Sequence, residues 1–226
     1  MRSGSDADGH GESDRRGRFA SGMSAQLGRA AARLLALGGA DAAASRTTAA
    51  RGGQVHHREL GAGPPLVLLH GAAGGGANWY RLLRPLATCF RVLAPDLPGF
   101  GFSDPVEPAP PLAGRMADRL ADWLDALGLA RVGLAGTSFG GLVALRLAQR
   151  RPRGVSRLAL LGAAGLGRDV TRLLRLAALP GVGPAALRPS RRATRQLLRR
   201  RLTAGTPLEP EHESALVDYL VSSAAA

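Results

Sequence analysis

The chain has 226 residues, enough for one domain with a sizeable buried core and room for a small insertion. Apolar residues make up 45% and aromatics only 4%, which excludes a disordered chain and leaves Leu, Ala and Val to fill the core. The net charge is +13, and all 30 basic residues are arginine. These arginines are spread along amphipathic segments with no zinc-finger, OB or RRM pattern, so they read as solvated surface and not as a nucleic-acid site.

Residues 1–22 are mostly Gly, Ser, Asp and Arg, with little to bury, and are expected to be disordered. Met23 is a candidate alternative start. Residues 23–51 are expected to form a helical and linker extension, with an Ala/Leu/Arg-rich helix over 24–38. An export signal is not expected: Arg15-Arg16 precedes the apolar patch Leu34–Leu37, but Arg29, Arg33 and Asp41 interrupt it. No run is long enough to span a bilayer, so the cytoplasm is the expected compartment.

The sheet core is expected over 52–162. Val55–Leu60 reads as a strand and Gly61-Ala62-Gly63-Pro64 as a turn. Leu66–Leu69, Val92–Ala94, Val132–Ala135 and Leu158–Leu161 are short and wholly apolar, the pattern of strands buried on both faces. Between them, Met116, Leu120, Trp123, Leu124 and Leu127 form one helical stripe, and Leu142, Leu145 and Ala148 another. This alternation predicts an α/β fold with a mostly parallel twisted sheet flanked by helices. Cys89 is the only cysteine, which excludes an internal disulfide. Its place between Thr88 and Phe90, on the approach to a strand, predicts a small core residue.

From residue 163 to 226 the rhythm changes to helices alone, over about 167–179, 190–203 and 208–222, as in a helical cap. Arg188, Arg191, Arg192, Arg195, Arg199, Arg200 and Arg201 bracket Leu197, Leu198 and Leu202 there. We read this run as a helix lying on the core with snorkelling arginines, in preference to an anion-attracting surface.

Three stretches carry chemistry. Gly136-Thr137-Ser138-Phe139-Gly140 fits G-x-S-x-G, a serine on a sharp strand-to-helix turn whose flanking glycines make room for it. His70-Gly71-Ala72-Ala73, followed by three glycines and Asn78-Trp79, closes an apolar strand and brings backbone N–H groups toward a ligand; His70 itself is expected to be a structural turn residue. No Gly-Lys-Ser/Thr follows, which excludes a phosphate-binding loop of that type. In Asp96-Leu97-Pro98-Gly99-Phe100-Gly101-Phe102-Ser103-Asp104, both aspartates are expected to bind backbone N–H groups, with Phe100 and Phe102 candidates to line a pocket. His56 and His57 are adjacent in a strand, point to opposite faces and make a shared metal site improbable.

Taken in this order, His70-Gly71, the Asp96–Ser103-Asp104 loop and Gly136-x-Ser138-x-Gly140 resemble the α/β-hydrolase superfamily, over about residues 52 to 226. The resemblance implies an α/β-hydrolase core with a helical cap. It further implies Ser138 as a nucleophile forming an acyl-enzyme, with Phe139 and Ala72 as backbone oxyanion donors and Gly71, Gly136 and Gly140 as structural glycines. It implies a small ester-like substrate, with C–C or amide bonds as further possibilities, and no cofactor or metal. In such proteins an acid and a histidine follow the cap; the resemblance implies that the last strands and this region are missing here. Asp169 is a poor substitute for the acid, and His212 reads as a surface histidine. The competing reading is a catalytically incomplete member that works as a binding module.

Overall fold

The computed structural model describes residues 9–167, 190–199 and 207–223, with side chains from Gly22 onward. Its sheet has six strands: β1 (Ala44–Ala50), β2 (Gly53–Leu60), β3 (Pro65–Leu69), β4 (Arg91–Pro95), β5 (Val132–Thr137) and β6 (Val155–Leu161). They lie in the order β1-β2-β4-β3-β5-β6. β1 and β2 pair antiparallel, as do β2 and β4, whereas β4, β3, β5 and β6 run parallel. The four apolar runs thus sit together at the parallel centre and far edge. β3, β4 and β5 are buried or half-buried throughout, as expected, whereas Leu158–Leu161 of β6, expected to be buried on both faces, is mostly exposed because β6 is the edge strand among the described residues.

Successive residues of β3 enter opposite layers. Leu68 joins the layer built from α1 (Gly9–Leu37), α2 (Tyr80–Ala87) and α6 (Pro210–Ser223), where Leu27, Leu34, Leu83 and Tyr219 are buried. Val67 and Leu69 join the layer of α3 (Leu112–Ala126) and α4 (Phe139–Arg150), where Leu120, Trp123, Val143 and Leu147 are buried. Each layer exists because its helices carry one apolar stripe.

Three further expectations are corrected. The sheet begins at Ala44, within the stretch read as helical extension and linker. The sequence Ala-Ser-Arg-Thr-Thr-Ala-Ala has no apolar alternation, because β1 is an exposed edge strand held by pairing with β2. Its signal was the turn: Ala50 pairs with Gly53, leaving Arg51-Gly52 as a two-residue hairpin with Gly52 at φ 82°. Second, α1 starts at Gly9, inside the stretch expected to be disordered. The packed turns around Leu27 and Leu34 supply the nucleus, after which adding further turns costs little. Third, Cys89 is exposed, because the turn between α2 and β4 leaves it on the surface.

The arginines of the C-terminal part differ from the reading too. In α5 (Arg191–Leu197) and just beyond it, Arg195 and Arg199 both reach Glu213 of α6, at 2.9 and 2.7 Å, and Arg191 pairs with Asp218. Acids of the neighbouring helix hold them, while Leu198 is buried and Leu197 exposed; Leu202 lies outside the described residues. Residues 168–189, which contain the first expected cap helix, lie outside the described residues.

Candidate active site

Ser138 sits between β5 and α4 at φ 51°, ψ −119°, a backbone region that costs a residue with a side chain about 1–3 kcal/mol. Its hydroxyl makes no capping bond to the helix and its side chain is exposed, so a simple helix cap does not describe it. Surrounding packing holds the strain. Ser138 N–H donates to the Leu161 carbonyl at 3.1 Å, and the Ser138 carbonyl accepts from Ala164 N–H at 2.9 Å. A Cβ on Gly140 would fall against the carbonyls of His70 and Leu69, and one on Gly136 against the Gly140 carbonyl. A Cβ on Gly71 would lie 3.3 Å from Ser138 Cβ and 3.9 Å from its Oγ, so the loop after β3 abuts the serine.

That loop keeps a tight path. Ala73 adopts φ 58°, and Gly74 N–H donates to the Gly71 carbonyl at 3.3 Å. His70 is buried and engaged at both nitrogens: Nδ1–H donates to the Gly71 carbonyl at 2.7 Å and Nε2 accepts from Leu97 N–H at 2.8 Å. Burial pulls its pKa below the ordinary value, so it is a neutral turn residue, as its sequence context suggested. Among the described residues, no acceptor takes the N–H of Ala72 or of Phe139. Phe139 opens α4, where backbone N–H groups and the helix dipole favour negative charge.

Asp96 organises the neighbouring loop from a buried position. Its Oδ1 accepts from Gly76 N–H at 2.6 Å, and Oδ2 from Phe102 N–H at 3.0 Å and His56 Nδ1 at 2.8 Å. Burial alone would raise its pKa, but the hydrogen bond from His56, helped by that from Gly76 N–H, outweighs it and holds the carboxyl below its usual range, ionised. Asp104 accepts from Gln54 N–H at 2.9 Å, so both aspartates bind backbone as expected. The half-buried rings of Phe100 and Phe102 meet the imidazoles of His70 and His56 edge-on, at centroid distances of 5.5 and 5.0 Å.

Four histidines have described side chains, and none is hydrogen-bonded to Ser138. His56 and His57 point to opposite faces, toward Phe102 and Trp123. His212 meets the Tyr80 hydroxyl at 3.2 Å. Asp169 lies outside the described residues. No cluster of three metal-ligating side chains occurs among the described residues, and no described helix is long and apolar enough to cross a membrane. Sequence reasoning missed the part played by α6: Ser223 Oγ donates to the Gly74 carbonyl at 2.7 Å, and Tyr219 packs against Gly75. The available signal was the glycine run itself. A Cβ on Gly75 would strike the Tyr219 hydroxyl, and one on Gly76 the Ala94 carbonyl.

This geometry has relatives. Over 129 residues the chain is 40% identical to the 2-hydroxymuconate semialdehyde hydrolase of Pseudomonas sp. (strain CF600), covering 56% of this chain and 46% of that one. The chain spans about half the length of the curated relatives it matches. A meta-cleavage product hydrolase from Pseudomonas fluorescens IP01 superposes with a TM-score of 0.61 at 31% identity, over 78% of this chain and 63% of the other. A bacterial membrane phospholipase A superposes with a TM-score of 0.69 at 26% identity, over 94% of this chain and 68% of the other. The family model described as alpha/beta hydrolase fold matches residues 64–204, the stretch containing the elbow and both loops, and the chain belongs to that family.

Proposed function

We propose that this chain carries the nucleophile and oxyanion donors of a serine hydrolase acting on carboxylic esters, with C–C bonds of the meta-cleavage type as the alternative substrate and amides as a third. The observation that carries this reading is Ser138: exposed, held at φ 51°, uncommitted to a helix cap, and set against Gly71. In the proposed reaction, Ser138 Oγ attacks the substrate carbonyl carbon. The developing oxyanion is taken up by the N–H groups of Phe139 and Ala72. Losing one such donor costs about 2.7–4 kcal/mol of barrier, so their rigid backbone is where most of the rate enhancement available here resides. A general base must accept the hydroxyl proton. The substrate is a small molecule, without nucleic acid, metal or organic cofactor, and the cytoplasm is the proposed compartment.

The second reading, a binding module on the same scaffold, draws on the four histidines that make no hydrogen bond to Ser138. A fluorophosphonate probe separates the two. The hydrolase reading expects stoichiometric labelling at Ser138, lost in Ser138→Ala. A cooperatively folded sample that leaves Ser138 unlabelled favours binding.

A further inference from the structure

We propose that Ser45, His56 and Asp96 form a second nucleophilic relay, separate from Ser138, that accepts an acyl or phosphonyl group from small activated esters onto Ser45 Oγ. The three residues come from β1, β2 and the end of β4. Ser45 Oγ lies 2.8 Å from His56 Nε2, and His56 Nδ1 lies 2.8 Å from Asp96 Oδ2. The proton arrangement follows from the carboxylate. Ionised Asp96 accepts only, so it takes Nδ1–H, which leaves the Nε2 lone pair facing the Ser45 hydroxyl. That is the polarity a general base requires.

The relay is rigid where it orients and open where it would react. Gly76 and Phe102 N–H groups pin the Asp96 carboxylate, and the Phe102 ring sits edge-on to His56. His56 and Asp96 are 5% and 2% exposed, whereas Ser45 is exposed. The backbone register supplies an oxyanion donor. His56 N–H donates to Ser103 Oγ and its carbonyl accepts from Asp96 N–H, so the His56 backbone faces away from β1. Its partner Thr47 therefore turns its own N–H to the open edge of the sheet, and Ser45, two residues earlier, does the same. The Ser45 N–H thus lies beside its own Oγ at an edge that no other strand pairs with among the described residues.

In the step, His56 Nε2 takes the hydroxyl proton as Oγ bonds to the acyl carbon. The leaving group departs with that proton. Water, deprotonated by His56, then hydrolyses acyl-Ser45 and restores the serine. A phosphonyl fluoride follows the first half, with fluoride leaving. Ser45 lies exposed on the edge strand, so the class taken is small and intrinsically reactive: aryl acetates and fluorophosphonates.

The test treats the full chain with a fluorophosphonate probe and maps adducts by peptide mass spectrometry. The expected result is an adduct on Ser45 in wild type and in Ser138→Ala, absent in Ser45→Ala and from urea-unfolded protein. His56→Gln, if folded by circular dichroism, is expected to slow Ser45 labelling at least tenfold. An unmodified Ser45 in folded Ser138→Ala, or equal labelling of the unfolded chain, overturns the proposal. Ser138 and Ser45 lie on different peptides, so labelling at Ser138 alone upholds the hydrolase reading and sinks this one, and labelling at Ser45 alone does the reverse.

Discussion

His57 is the residue whose chemistry fits its surroundings least. It is fully buried against Trp123, and neither ring nitrogen has a hydrogen-bond partner among the described residues; Glu59 Oε2 stands 3.7 Å away, too far for one. Burial, the largest cause, lowers its pKa from 6.5 to about 4. The neutral ring is therefore favoured by folding, and the unfolded chain takes up the proton first as pH falls. The stability that His57 protects is fully present above pH 6.5 and is lost between pH 6.5 and about 4, by roughly 3 kcal/mol. His70, also depressed by burial, acts in the same direction. His57→Phe keeps a ring against Trp123 and removes both orphaned nitrogens. We expect it to stabilise the protein at pH 5 by about 1–3 kcal/mol and to flatten the acid limb of a urea-unfolding series. Parallel limbs for the two proteins would refute this account. Glu59 stays anchored by Arg91 at 2.6 Å and Arg46 at 2.9 Å in either case.

At the scale of elements, α6 acts as a clamp on the glycine-rich loop. Its Ser223 hydroxyl reaches the Gly74 carbonyl across 149 residues of sequence, and Asp218 ties the same helix to Arg33 of α1 at 3.7 Å. Ser223→Ala leaves a buried carbonyl without this donor. The expected cost is about 1 kcal/mol in the urea midpoint, with faster amide exchange over Gly71–Gly76. Unchanged exchange in that loop would show that α6 does not hold it. The elbow between β5 and α4 leaves less latitude. Gly140→Ala drives a methyl group into two strand-end carbonyls, and we expect several kcal/mol of destabilisation or no folded protein at all, read by circular dichroism.

The molecule as a whole is covered unevenly. β6 has no outer neighbour among the described residues, and Leu158 and Leu161 on it are 37% and 48% exposed. An open cleft of about 600 Å³ runs beside it over β3 and β5, lined by Pro65, Leu66, Phe90, Gly133, Ala135 and Ala159. A bare parallel edge next to an apolar cleft invites association. We expect the chain alone to self-associate in light scattering as concentration rises, and Leu158→Lys to reduce this without a change in circular dichroism. A wild-type chain that stays monomeric and unfolds cooperatively would sink the prediction.

The features written in the sequence itself are those fixed by near neighbours. The G-x-S-x-G turn, the four apolar strands and the helical stripes were legible because backbone conformation and periodicity depend on residues within a few positions. Asp96 and Asp104 could be read as backbone binders because the loop between them is short and rich in glycine. Pairing between distant segments decided the rest. Ser45 meets His56 only because β1 folds back on β2, and β1 has too few apolar residues to announce itself. His56 meets Asp96 only because β2 lies beside β4. The exposure of Cys89, the docking of α6 on Gly74 and the edge position of β6 among the described strands depend on which surfaces tertiary packing covers. Side-chain type and spacing specify what an element buries, while its partner is set by the joint packing of segments far apart in the chain.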